Sequence, residues 1–310
     1  MEIIKKYKNS SLLATSNKKE YFALYLKRRV RIYNSKNEKI YELKIDYPTY
    51  GCFSMDDQYL YVFYNSHHIV EIDFKKNIVK KILELVDNSI MIKMMYANNN
   101  ELEIIYSYFE SEGPYYKLVN WKKDQVEEVI LTQKLYIDNL IRTSKGIYLT
   151  VLDRGGKEQN PKTRIAMIKD NNIIDFEIFS NLFKKLKYCE FMDFTISSTT
   201  EGISIRKNGD IIYKESEKDR NYQVNFSINE ESRLLVFEIK EEVKVMSLDN
   251  LKVVDLYEVF GKIAERDPDS FEVIRVYEDK VPVLKLEFLG KGKKIIFAVN
   301  NDLFVAQFNG

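Results

Sequence analysis

Two clear copies of one short unit constrain this chain more than any other feature. Phe53-Ser54-Met55-Asp56-Asp57-Gln58-Tyr59-Leu60-Tyr61-Val62 and Phe226-Ser227-Ile228-Asn229-Glu230-Glu231-Ser232-Arg233-Leu234-Leu235-Val236 each read as a strand ending, a tight acidic turn and an alternating apolar strand. They begin at residues 53 and 226, a separation of 173 residues, which is about four units of 43. Fainter copies follow the same plan. Met94-Met95-Tyr96 leads through an Asn-rich turn to 102–106, Leu140-Ile141-Arg142 leads through Ser144-Lys145-Gly146 to 147–152, and Leu286-Glu287-Phe288 leads through Gly290-Lys291-Gly292 to 295–299. A second hairpin recurs downstream in each unit, as in Val30–Tyr33 with Ile40–Leu43 and Val243–Met246 with Val253-Val254. Between 187 and 202 the spacing does not place the first turn.

The pattern Phe-Ser-x-Asp-x-x-x-Leu-Tyr-Val resembles the inner hairpin of WD-repeat and YVTN-type β-propellers. The resemblance covers nearly the whole chain as architecture. The Gly-His and Trp-Asp dipeptides of WD repeats are missing, and Met55-Asp56-Asp57 and Ile228-Asn229-Glu230 stand where Pro-Asp-Gly is common. Function is not carried by such a likeness, because one fold hosts many activities. The expected fold is all-β: a seven-bladed β-propeller with four-stranded antiparallel blades in a single domain, 1–310. The blades are expected at about 8–45, 46–86, 87–132, 133–180, 181–215, 216–257 and 268–310 plus 1–7. Leu303–Phe308 reads as a third strand, and Glu2–Tyr7 as a strand without a hairpin partner. Pairing them, through Ile3 and Ile4, completes the last blade and removes an open edge. One insertion interrupts the pattern. Leu256, Val259, Phe260 and Ile263 lie at helical spacing, with Pro268 as a stop, so a short inserted helix is expected over 255–267.

Composition agrees with strands and narrows the partners. The chain has 22 Tyr and 18 Phe but only 11 Gly and 5 Pro, so its turns must rely on Asn, Asp, Ser and Lys. Lys and Arg total 48 against 47 Asp and Glu, which argues against a global pull toward nucleic acid or membrane. No apolar run approaches the roughly 18 residues of a spanning helix, and Met1–Ser16 has no apolar core of a secretory signal. Cys52 and Cys189 read as two buried, reduced thiols, and a cytoplasmic protein is expected.

The expected working face follows from loop length. In a four-stranded blade, the second-to-third connection and the blade-to-blade connection share one rim, conventionally the top. On it the sequence places long segments at 109–116 and 153–162. The binding candidates are Tyr108, Phe109, Tyr115, Tyr116, Asp153, Arg154, Arg164, His67 and His68, with Tyr47 and Tyr50 beside them. Aromatic and Arg side chains are favoured at protein–protein hot spots. Two basic runs, Lys27-Arg28-Arg29-Arg31 and Lys184-Lys185-Lys187, fall on the same rim and read mainly as solvated turns.

Catalytic chemistry has little to stand on. The two histidines are adjacent, so on a strand they point to opposite faces and do not converge on one metal. Phosphate-cradling loops and nucleophile elbows are absent from the sequence. No cofactor and no metal are expected, although loop carboxylates such as Asp153, Glu110 and Glu112 offer oxygen ligands for calcium. The expectation is a non-catalytic scaffold that binds another protein or peptide on the top rim. Its alternatives are a propeller enzyme of lyase or hydrolase type, which needs His67 or His68, or a carboxylate pair, to line the central funnel, and a small-ligand or sugar-binding propeller.

Overall fold

A computed structural model describes the chain except at 88, 99–100, 111–112, 123–124, 134–135, 144–145, 154–161, 170–171, 180–182, 190–191, 193, 200–201, 208–209, 217–223, 267–272, 282, 291 and 309–310. Between 130 and 191, side chains are described only at Ile147, Ile168 and Cys189. The described strands form seven four-stranded antiparallel sheets and one separate two-stranded hairpin. In chain order the sheets cover 10–44, 48–84, 91–133, 136–179, 183–216, 226–258 and 285–307, and the last includes Glu2–Tyr7. We call these sheets blades one to seven.

Burial explains why each blade reads as it does. Second strands are apolar on both faces because neighbouring blades cover both sides, as in Leu234–Ile239 and Lys294–Val299. Outer strands such as Asp210–Ser216 and Lys252–Glu258 are largely exposed and mix apolar with charged residues. The ring follows from contacts between inner strands. Ser10–Thr15 lies beside Pro48–Phe53 and Lys285–Leu289, Met91–Asn98 lies beside Pro48–Phe53 and Tyr136–Thr143, and the latter lies beside Phe183–Cys189. Blades five and six meet through Cys189, Phe194, Ile203, Phe226 and Leu235 in one apolar cluster.

Irregularities repeat along with the strands. The pairing of inner and second strands slips by one residue in blades one to five, at Leu12/Ala14, Pro48/Tyr50, Ile92/Met94, Ile137/Asn139 and Phe183/Lys185. A bulge at one place in successive blades raises local twist by the same amount each time, as a ring of blades needs. Turns obtain left-handed backbone without glycine: Lys27-Arg28 and Lys240-Glu241 both have positive φ, the geometry of a two-residue hairpin turn matched to strand twist.

Blade seven closes as the pattern of terminal strands implies. Glu2–Tyr7 pairs antiparallel with Asp302–Gln307, with Ile3 opposite Ala306 and Tyr7 opposite Leu303. Tyr7 is buried among Phe22, Tyr33, Leu289 and Leu303, and Lys6 forms a 2.8 Å ion pair with Asp302. On the rim opposite the blade-to-blade connections, successive turns are tied together. Asp57 accepts the N–H groups of Asn17 and Lys18 at 2.8 and 3.0 Å, Met55 donates to Ala97, and Gly290 donates to Lys19.

Two expectations need correction. The stretch read as a helix over 255–267 is strand at 255–258 and 260–266, with Val259 between the two strands. Lys252–Glu258 is the outer strand of blade six, and Phe260–Arg266 pairs with Val273–Lys280 as a hairpin, so blade seven starts at Lys285. Of the supposed apolar stripe, Val259 is buried while Leu256 is exposed, so no helical face forms. The β-branched Val253, Val254 and Val259 suit an extended backbone. Within the supposed loop 109–116 the described residues are also strand, with Phe109 opposite Pro114 and Glu110 opposite Gly113.

Candidate binding rim

Strict antiparallel alternation sends every inner strand away from one rim and returns every outer strand to it. That rim therefore carries the Lys8-Asn9, Ile45–Tyr47, Leu85–Ile90 and Val281–Leu284 connections between blades, and the Lys27-Arg28, Asn65–His67, Lys240-Glu241 and Asn300-Asn301 turns within them. The hairpin of Phe260–Arg266 and Val273–Lys280 leaves from the same rim. Its base is fixed in the core by Val259, Val281 and Val283, and Val281 donates to the Val259 carbonyl at 3.0 Å.

The candidate aromatics separate into two groups. Tyr108, Tyr115 and Tyr116 are buried. The rings of Tyr108 and Tyr115 stack across the strand pair, 5.4 Å apart and 25° from parallel, and Lys117 lies 4.9 Å over Tyr108. Beneath them Asp87 accepts hydrogen bonds from Tyr106 at 2.6 Å and Lys117 at 2.8 Å. Burial, followed by the Asp87 hydrogen bond, pushes the Tyr106 hydroxyl above its usual range. For Lys117 burial acts in the opposite sense, and Asp87 outweighs it to hold the ammonium above its ordinary value. Phe109, by contrast, is 53% exposed.

His68 begins the third strand of blade two and His67 stands in the turn before it, both away from the inner strand. His67 places Nδ1 3.2 Å from the Leu85 carbonyl, and His68 lies 3.8 Å from Glu84 and against Tyr64. Neither stands on an inner strand, so the funnel position that a histidine-based enzyme needs is not occupied by them. Asp153 and Arg164 are strand residues, opposite Lys162 and Val151. Their side chains, and the whole of Arg154, lie outside the described residues. Among the described residues, no three His, Cys, Asp or Glu side chains group as metal ligands would.

Among the exposed apolar residues of the connections, sequence reasoning picked out Tyr47 but missed Val86 and Leu284. Tyr47 is 68% exposed, Val86 80% and Leu284 56%. Together with Phe109 and Met91 they sit on or beside this rim. The other exposed large apolar residues lie on outer strands or on the inserted hairpin, except Met55 on the opposite rim. A lone apolar residue in a short polar connection carries no sequence signal until the ring gathers several on one side.

A groove of about 410 Å³ opens on the same rim at the seam of blades seven and one. Asn9, Ser11, Lys27, Lys285, Asn300 and Asn301 supply its polar wall, and Leu12, Tyr25 and Leu284 supply an apolar one. Lys285 donates to the Leu12 carbonyl at 2.6 Å, and burial holds its ammonium below the usual lysine range against the pull of Glu287.

These features define a β-propeller with a decorated rim, and its likeness to WD-repeat propellers holds at the level of fold. The chain is similar to the Cps50 (Swd1) β-propeller domain of Myceliophteria thermophila, with 11% identity, a TM-score of 0.68, and 99% of each chain covered. It is also similar to a chain of the mitotic checkpoint complex, with 13% identity and a TM-score of 0.66 over 100% of this chain and 92% of that one. No protein-family model and no curated protein sequence matches it.

Proposed function

We propose that this chain is a non-catalytic scaffold that binds another protein or peptide on the rim carrying the blade-to-blade connections. One observation carries the reading: the exposed apolar residues of the connections, Tyr47, Val86 and Leu284, lie on that rim together with Phe109 and the inserted hairpin. Apolar residues grouped within a polar surface mark interaction sites more often than scattered ones do. The similar chain within a multi-protein complex lends the reading support by analogy of fold.

Site-specific photo-crosslinking tests it. A photoreactive residue at Val86 or Tyr47 is expected to capture a discrete partner in native lysate, and Tyr47→Ala with Phe109→Ala is expected to abolish capture from Val86. The same probe at Met55, on the opposite rim, is expected to capture nothing discrete. Equal adducts from both rims, or none from Val86 and Tyr47, would sink the proposal.

A further inference from the structure

The basic run at 27–31 takes on a different meaning once folded. Three of its cations are paired, two of them sharing one carboxylate: Arg28 pairs with Asp46 at 2.9 Å, Arg29 with Glu42 at 2.7 Å, and Arg31 with Glu42 at 2.6 Å. Lys27 has no carboxylate partner among the described residues, and it lines the seam groove instead. Across the groove stands Lys285, whose ammonium gives one N–H to the Leu12 carbonyl, leaving two of its three donors for an occupant. Among the described residues, no acidic side chain lines the groove. Its remaining polar wall consists of amides and hydroxyls of Asn9, Ser11, Asn300 and Asn301, which can donate hydrogen bonds to carboxylate oxygens. Leu284 is exposed beside them and offers an apolar contact.

We propose that the seam groove between blades seven and one is a docking site for an acidic peptide segment of a protein partner, held by Lys27 and Lys285 and anchored by one apolar side chain against Leu284 and Tyr25. This deepens the scaffold reading and rests on it. Two lysines, with no acid among the described lining residues, select a carboxylate-bearing occupant by charge complementarity. A volume of about 410 Å³ admits a few side chains, not a folded domain. The groove also spans the point where the ring closes. Ser10 donates to Asn301 across it at 2.9 Å, so an occupant contacts both sides of the closure and is expected to stabilise the fold by mass action.

The test uses the full chain and a fluorescein-labelled peptide of about ten residues, rich in glutamate with one central leucine. Saturable anisotropy is expected, weakening as salt rises from about 50 to about 300 mM, along with a higher melting temperature in the presence of peptide. Lys27→Glu is expected to raise Kd about tenfold, and Lys27→Glu with Lys285→Gln further, while Lys36→Glu on the opposite rim changes nothing. Lys27 is an exposed turn residue, so its single variant keeps the fold and the test informative. The inference is overturned by absent saturable binding, by equal losses with Lys36→Glu, or by an oligonucleotide of equal charge that binds more tightly and depends on Lys27. A partner cross-linked through Val86 that ignores both seam variants would overturn this inference and leave the rim reading standing. Peptide binding at the seam without any cross-linked rim partner would do the reverse.

Discussion

Single residues on the rim opposite the candidate site show how much stability one side chain can concentrate. Asp57 is buried and takes two backbone N–H groups from the neighbouring blade, those of Asn17 and Lys18. A carboxylate accepting two such bonds satisfies donors that would otherwise be desolvated and unpaired. It also sits at φ 58°, a left-handed conformation that Asp tolerates better than most residues. Asp57→Ala is expected to cost about 3 kcal/mol, read from the urea unfolding midpoint, and Asp57→Asn about half as much. A cost below about 1 kcal/mol for the alanine variant would show that the turn-to-turn bonds do not help hold the ring together. The acidic turn stood out in the sequence, yet its role there did not. The pattern marks Asp57 as a turn residue, and only the neighbouring blade supplies the donors.

Elements carry consequences that no one residue has alone. On the inner strand Pro48–Phe53, Tyr50 and Cys52 are two apart and project from one face into the cluster shared by blades two and three. Burial pushes Tyr50 from 10.0 up to about 12 and the Cys52 thiol from 9.0 up to about 12. Both folded values lie above the unfolded ones, so the fold favours the neutral forms. Their contribution is fully present below about pH 9 and is lost as pH rises toward about 12. The urea midpoint is therefore expected to fall over that window, and to fall less steeply in Tyr50→Phe with Cys52→Ala. Identical slopes for variant and parent would refute the assignment.

Strands of this kind were the most legible part of the chain, because two-residue alternation and Asn- or Asp-rich turns recur at a fixed spacing. The two misread stretches share a cause. Leu256, Val259, Phe260 and Ile263 fit a helical period by spacing, but an extended chain fits the same letters, and pairing with Val273–Lys280 decides between them. Gly113-Pro114 among aromatics reads as a loop, yet Tyr108 stacked on Tyr115 makes that stretch a paired strand. Half the site was hidden for a similar reason. A tyrosine near a strand end looks the same in sequence whether it caps the rim or enters the core.

At the scale of the whole molecule, the last blade is completed by pairing with the first strand. Removing residues 1–7 uncovers the edge of Asp302–Gln307 and takes Tyr7 out of its cluster with Phe22 and Leu303. An unpaired edge of this length is a template for intermolecular pairing. The shortened chain is expected to form larger assemblies by light scattering, and a synthetic peptide of residues 1–7 is expected to return it to the size of the parent. A monodisperse, equally stable truncation would show that closure is dispensable.

The same pairing sets a timetable for biosynthesis. Glu2–Tyr7 is synthesised well before its partner, Asp302–Gln307, with blades one to six between them. At roughly 5–20 residues per second, the first strand waits on the order of a quarter-minute to a minute for residues that far downstream. Throughout that interval the nascent chain holds one unpaired strand in reserve while six blades assemble behind it. Occupation of that strand by anything else during the wait would leave a finished chain with an open ring.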